Sequence, residues 1–475
     1  MKTIKKLLPV LLGFFISIAV LFSTNAEAAG YSATYATFAS ARLSNASTVV
    51  YNATLTGVPQ SDDGMIYLYA LQPFEYVVSP TDFQVGVCAA SAAPAFSFNL
   101  KSSAGVSMIC YKFAMAVKVN GQLVTIANSC QYITNPEVAA TRTRAPQNIG
   151  FVEPYEKMLL YRVGEVAPVM WNYNAPATAV IVNKADPDLI NPLALKGDSH
   201  PQKKMYYMFN AATVNGVAKL QSTMSNFAAN STVDEFIIGN EVNTRTWNYT
   251  AYVNAETFVR EYYQAFRVSY NAIKSTNANA KVFISLDQNW DRNRNDPEYI
   301  DGADFMLLFN QMMVAEGNID WGLAMHPYPT PLTYAKFWDY SGCPSGSYYV
   351  NQVNSGKIVT FQNLPVMTSF MSMPGMLSPT GKIRDIILPE MGITSAQGYE
   401  VQAAAIMAVY QACRNNPAIK RIYYHRMNEG GQLNFGTVGI SEEVYQAVLH
   451  GNPGKYDQWA KNFIGIADWH QVLNY

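Results

Sequence analysis

Two glutamates, Glu241 and Glu390, each stand just past an apolar run that reads as a buried strand. The runs are Phe236-Ile-Ile-Gly-Asn-Glu-Val-Asn243 and Ile386-Ile-Leu-Pro-Glu-Met-Gly392. Cleaving a glycosidic bond needs such a carboxyl pair on facing walls of one pocket. One group protonates the leaving oxygen and the other attacks the anomeric carbon or activates water. A third block, Trp321-Gly-Leu-Ala-Met-His-Pro-Tyr328, ends an apolar run with His326 and Tyr328. A tyrosine hydroxyl beside a carboxylate holds it ionised and aimed.

Further candidates follow the same logic of polar residues just beyond apolar runs. Asn240 precedes Glu241, and Asp287 and Trp290 follow Lys281-Val-Phe-Ile-Ser-Leu286. Asp287 is suited to sugar hydroxyls, and Trp290 and Trp247 to stacking on a sugar ring. His425 follows Arg421-Ile-Tyr-Tyr424. Each has a plainer reading: loop capping for Asp287, burial or rim packing for the tryptophans, and a hydrogen-bonded structural role for a histidine.

These residues need a scaffold that gathers strand ends. From Phe236 onward the chain alternates strand and helix: helical patterns over Ala255–Ile273, Ala303–Val314 and Tyr399–Arg414 separate the apolar runs, and a last one covers Tyr456–Phe463. That alternation marks a parallel sheet with crossover helices. Asn148–Val152, Val166–Trp171 and Ala177–Val182 would bring the strand count to eight, a (β/α)8 TIM barrel, with Asp186–Gln202 a long polar loop. In such a barrel functional side chains project from the C-terminal strand ends, where all the candidates fall. By this count Glu241 ends the fourth strand and Glu390 the seventh.

Ahead of the barrel, short alternating runs such as Met65–Ala70, Phe96–Leu100 and Met115–Asn120 read as an antiparallel β-sandwich-like domain. Asn120-Gly121 marks a hairpin, because both residues tolerate the positive φ of a type I′ turn. The division expected is a signal peptide over 1–29, a β-domain over 30–134 and a barrel over 145–475. The signal reading rests on Lys2, Lys5 and Lys6 before the apolar run Leu7–Phe22, then Ala26, Ala28 and Ala29. The alternative, a retained anchor, is disfavoured by the shortness of the run and its Ser-Thr-Asn-Ala exit. The expected location is extracellular, with no stable membrane insertion after cleavage.

The blocks also carry a resemblance. Asn-Glu after strand four, His-x-Tyr after strand six and Glu after strand seven resemble clan A of the retaining glycosidases. Ile-Ile-Gly-Asn-Glu-Val-Asn, Phe-Ile-Ser-Leu-Asp, His-Pro-Tyr-Pro and Leu-Pro-Glu-Met-Gly-Ile-Thr-Ser more closely resemble a bacterial barrel family catalogued as a domain of unknown function, from about Ala145 to the C-terminus. The resemblance implies that Glu241 is the acid/base, Asn240 the partner of the sugar 2-hydroxyl and Glu390 the nucleophile, with His326 and Tyr328 orienting the nucleophile. The chain departs from the clan after strand eight, where Tyr424-His-Arg-Met-Asn428 replaces a frequent tryptophan with a more cationic floor. That leaves room for an acidic or heavily hydroxylated sugar.

Composition excludes other classes. Net charge is −1 and only 14% of residues are charged, so nothing electrostatic points to nucleic acid. The chain has no Gly-x-Ser-x-Gly elbow and no His-Glu-x-x-His helix. Gly375–Lys382 lacks the spacing and the Ser or Thr of a phosphate loop. Five cysteines without Cys-x-x-Cys spacing form no metal pattern and leave open one disulfide among Cys88, Cys110 and Cys130. No metal or cofactor is expected, and the partner is a carbohydrate. The rival readings are a non-catalytic carbohydrate-binding or cell-surface protein on the same barrel and an inverting hydrolase. The oligomeric state is not legible.

Overall fold

The computed structural model describes residues 34–103, 105–143, 151–152, 154–160, 177–182, 202–207, 214–229, 233–244, 254–292, 299–424, 433–449 and 451–474. Residues 1–29, Val166–Trp171, Trp247 and His425 lie outside the described residues.

Beside a small third sheet in which Ser102–Ser103 pairs with Val106–Ser107, two larger antiparallel sheets make up most of the N-terminal part. One contains Ala36–Leu43, Thr48–Leu55 and Ala95–Asn99; the other contains Met65–Leu71, Phe83–Ala89, Lys112–Val119, Gln122–Thr125 and Gln131–Tyr132. Thr48–Leu55 and Ala95–Asn99 alternate buried and exposed residues, the period-2 mark of a sheet with one face covered. The two sheets meet through a shared core in which Phe98 packs on Phe113 at 5.1 Å between ring centres. Asn120 and Gly121 take φ of 52° and 73°, as the hairpin between Lys112–Val119 and Gln122–Thr125 requires. All five cysteines are free thiols.

The second part is built on a parallel sheet. Its strands, in ladder order from Pro154–Leu160, are Ala177–Val182, Gln202–Tyr207, Val233–Ile238, Lys281–Leu286, Gly322–Met325, Ile386–Met391, Ile419–Tyr424 and Phe151–Val152. The two ends of that order lie one residue apart in the chain, so the described strands fill eight positions. Of the three early strands expected, Ala177–Val182 is found, Asn148–Val152 is found over Phe151–Val152, and Val166–Trp171 lies outside the described residues. Pro154–Leu160 continues the first strand where a brief connection was expected. Gln202–Tyr207, which begins where the loop expected over Asp186–Gln202 ends, is the third strand; its opening Gln-Lys-Lys hides the apolar signal.

Helices lie between the later strands: Val214–Ala229, Ala255–Lys274, Gly302–Ala315, Gly346–Asn354, Pro365–Met371 and Tyr399–Arg414, with Ile440–Leu449 and Gly454–Ile464 at the end. Among the described residues, none is long and apolar enough to cross a membrane. Ala255–Lys274 starts at Asn254, whose side chain accepts from Thr257 N. Its aromatic face of Phe258, Tyr262 and Phe266 packs on Phe305 and Phe309 of the next helix. The N-terminal sheets brace these same two helices. Asn271 Nδ2 donates to Ile109 O at 2.7 Å, Gln131 Nε2 donates to Ala315 O at 2.9 Å, and the fully buried Lys112 lies 3.8 Å from Glu316. The sheets therefore hold the helices that follow the strands carrying Glu241 and Asp287.

Candidate active site

Strand parity sets what faces the middle of the parallel sheet. Ile237, Phe283, Ala324 and Ile387, one each from strands four to seven, form a separate buried cluster. Stepping two residues toward the N-terminal ends reaches Glu235, which pairs with Arg421 at 3.1 Å. Two and four residues toward the C-terminal ends come Gly239 and Glu241, Ser285 and Asp287, and His326 and Tyr328, since residues two apart share a face. Strand seven needs a different device, because parity from Ile387 would select Pro389 and Met391. The register with strand eight slips between Leu388 and Met391, paired with Ile422 and Tyr424. That one extra residue is a bulge at Pro389-Glu390, the kind of irregularity that re-aims a side chain, and it brings Glu390 to the same face as the others.

The result is a compact polar cluster. His326, with no solvent exposure, places Nδ1 2.9 Å from Glu241 Oε1 and 3.4 Å from Glu390 Oε2. Tyr328 Oη donates to Glu390 Oε1 at 2.9 Å, and its ring stacks on Phe435 with centres 5.8 Å apart. Each of Glu241, His326 and Glu390 offers an atom within 4.8 Å of the others. The Glu390 side chain is 7% exposed and the Glu241 side chain 16%, so the former is the more enclosed of the two.

Glu241 sits on a backbone turned to φ 44° after Gly239 at φ 86°, a left-handed conformation that costs a non-glycine residue on the order of 1–2 kcal/mol. Specific bonds hold it there. Glu241 N donates to Ser285 Oγ at 3.1 Å, Val242 N to Ser285 O at 2.9 Å and Thr244 N to Glu241 O at 2.8 Å. Tyr262 Oη donates to Ile238 O at 2.6 Å just upstream. Ser285 Oγ also lies 3.4 Å from His326 Nε2. The circuit closes when His326 carries its proton on Nδ1: Glu241 N–H to Ser285 Oγ, Ser285 O–H to Nε2, and Nδ1–H back to the Glu241 carboxylate.

Asp287, 8% exposed, is held by Asn243 Nδ2 at 2.6 Å, by Asn289 N at 2.9 Å and by Asn289 Nδ2. Burial, then the charge of nearby Glu241, pushes its carboxyl up to about 6 against the hydrogen bonds that favour ionisation. Asn240 is 4% exposed, and neither its Oδ1 nor its Nδ2 has a hydrogen-bond partner among the described residues. A buried amide left unsatisfied costs about 1–3 kcal/mol, which a bound ligand with hydroxyl groups would remove.

The structure thus gathers Glu241, Glu390, His326, Tyr328 and Asp287 at one strand-end cluster, with Asn240 beside Glu241. Trp290 is a correction. It is 3% exposed, edge-on to Phe370 at 5.3 Å and tight against the start of helix Gly302–Ala315, so it has no open face for a sugar ring. Its bulk is used to seat that helix. Sequence reasoning missed Ser285 and Asn243, although Ser285 shares parity with Asp287 and Asn243 closes the quoted Asn-Glu-Val-Asn block. The two carboxylates and the imidazole also form a donor set suited to a divalent transition metal.

Comparison with solved structures gives distant similarity to glycoside hydrolases. A family 39 glycoside hydrolase from the gut symbiont Bacteroides cellulosilyticus WH2 aligns with a TM-score of 0.41 and 14% identity over 85% of this chain and 80% of that one. Thermotoga maritima Cel5A in complex with mannotriose gives 0.35 and 9% over 65% and 98%, and the endo-1,4-β-mannanase from Rhizomucor miehei 0.35 and 12% over 67% and 99%. None of the curated proteins matches the chain. A family model does match, over residues 155–472, which contain the whole polar cluster, and the chain belongs to that family, the family of unknown function DUF5722.

Proposed function

We propose that the protein is a secreted glycoside hydrolase on a (β/α)8 barrel that cleaves O-glycosidic bonds of a polysaccharide or oligosaccharide with retention. Glu241 is the general acid/base and Glu390 the nucleophile. The observation that carries the reading is the approach of the two carboxylates, within 4.8 Å atom to atom from strands four and seven. Retaining pairs stand about 5–5.5 Å apart, whereas inverting pairs leave roughly 6.5–9.5 Å for a water.

In this mechanism Glu390 attacks the anomeric carbon as Glu241 protonates the departing glycosidic oxygen, leaving a covalent glycosyl-enzyme. Water then attacks the same carbon, Glu241 takes its proton, and Glu390 is released. The differing enclosure supports the assignment: Glu390 is the more sheltered and is oriented by Tyr328, and Glu241 is the more open to leaving group and water. The unsatisfied Asn240 amide is placed to bind a hydroxyl of the same sugar. The N-terminal sheets act as a brace.

The test is hydrolysis of a panel of plant, algal and bacterial polysaccharides by the mature protein, with Glu241→Gln and Glu390→Gln in parallel. Product from the wild type and none from either variant supports the reading; retained binding without turnover in all three supports a non-catalytic carbohydrate-binding protein. A second reading, metal-dependent hydrolysis, is favoured only by the Glu241, His326 and Glu390 donor set. Activity lost in EDTA and recovered with Zn²⁺ or Mn²⁺ would select it.

A further inference from the structure

The loop after strand five continues outward from Asp287 to a cation with no anionic partner among the described residues. Arg292 is half-buried, and both of its hydrogen-bond acceptors are neutral: Asn289 Oδ1 at 2.7 Å and Tyr348 Oη at 2.7 Å. Among the described residues no carboxylate pairs with it. The amide of Asn289 bridges it to the site, accepting from Arg292 through Oδ1 while donating to Asp287 through Nδ2. The guanidinium is therefore one amide group away from the Asp287 carboxyl, which stands beside Glu241.

A further observation points the same way. Tyr348, which receives the Arg292 bond, keeps 45% of its surface exposed, so an aromatic face lies open beside the cation. A planar cation with free donor capacity beside an open ring matches a sugar bearing an anionic group: a carboxylate or sulfate for the guanidinium fork and a ring face for Tyr348.

Building on the hydrolase reading, we propose that the segment Asp287–Arg292 after strand five is a subsite for an anionic sugar, with Arg292 as the anchor of its carboxylate or sulfate ester. The acidic polymer is selected by this subsite, and Glu241 and Glu390 act on the neighbouring linkage.

The test is affinity electrophoresis of the Glu390→Gln protein in gels containing polygalacturonate, alginate or carrageenan, each paired with its carboxyl-reduced or desulfated form. Carboxylate and sulfate are separated by which pair shows the preference. The expected result is about tenfold stronger retardation by one charged polymer than by its neutral partner. Adding Arg292→Gln should abolish that preference, Arg292→Lys should retain part of it, and Lys420→Gln, which removes an exposed charge at the opposite strand ends, should leave it intact. A preference that survives Arg292→Gln, or no preference for any charged polymer, overturns the subsite. The two readings fail separately. A charged polymer bound through Arg292 but never cleaved by the wild type sinks the hydrolase. A neutral polymer cleaved equally by wild type and Arg292→Gln sinks the subsite.

Discussion

Replacing Tyr328 with Phe removes one atom and isolates one interaction. The Tyr328 hydroxyl donates to Glu390 Oε1 at 2.9 Å, and the ring that remains keeps its stack on Phe435. A hydrogen bond to a charged acceptor is worth about 1.5–3 kcal/mol. Its loss destabilises the Glu390 carboxylate relative to the protonated form by about that amount, and each 1.36 kcal/mol is about a tenfold change in the ratio of the two. The sign follows from which form the hydroxyl stabilises. The donor favours the carboxylate, so without it the proton stays on to higher pH, and the fraction of enzyme with an ionised nucleophile falls on the acid side. The assay is kcat/KM against pH for wild type and Tyr328→Phe, with near-ultraviolet circular dichroism to verify packing. The acid limb should move up by about 1–2 units, with about a 10- to 100-fold loss at acidic pH that recovers as pH rises. An unmoved acid limb in a well-packed variant would refute the claim that Tyr328 holds Glu390 ionised.

Three other outcomes are expected. His326→Asn should lower kcat by about 10- to 100-fold, since it removes the 2.9 Å contact to Glu241 worth about 1.5–3 kcal/mol; turnover within twofold of wild type would show that the imidazole has no part in catalysis. Burial raises the Asp287 carboxyl to about 6 and the Glu235 carboxyl to about 7. Each unfolded carboxyl ionises first, so both contributions to stability are full at low pH and are lost as pH rises through those values. Asp287→Asn should flatten the fall in stability between about pH 4 and 6, and Glu235→Gln that between about pH 4 and 7, read by denaturant melts across pH; unchanged slopes would contradict the assignments. A Cβ at Gly322 would lie 2.4 Å from Phe283 Cδ1 and 2.9 Å from Asp385 O. Gly322→Ala should therefore cost about 1–3 kcal/mol or more in a thermal or chemical melt, and a neutral result would mean that strands five to seven yield freely.

Much of the candidate site was legible because its polar residues stand just past apolar runs. Asn240-Glu241, Asp287 and His326-x-Tyr328 all follow period-2 strands whose inward set, Ile237, Phe283 and Ala324, fixes their direction. Glu390 was found by its place just past an apolar run, but its direction was not legible, since parity alone points it away and only the bulge at Pro389-Glu390 turns it inward. Trp290 misled because an aromatic after a strand reads equally as platform or packing, and Gly302 beyond it leaves room for burial. The first three strands were harder to read. Pro154 at a strand start and two lysines opening Gln202–Tyr207 mask the apolar alternation that made the later strands plain. Arg292 carried no sequence signal, because an arginine in a polar loop acquires meaning only when its partners prove to be neutral.

The central claim is that Glu390 forms a covalent bond to a sugar while Glu241 serves the leaving group. The most direct measurement is the intact mass of the protein after incubation with activated 2-deoxy-2-fluoro glycosides, followed by peptide mapping. The account predicts a single glycosyl adduct on the peptide containing Glu390, present in the wild type and absent from Glu390→Gln. An adduct that persists in that variant or maps elsewhere, or polysaccharide hydrolysis that proceeds undiminished in Glu390→Gln, would contradict it.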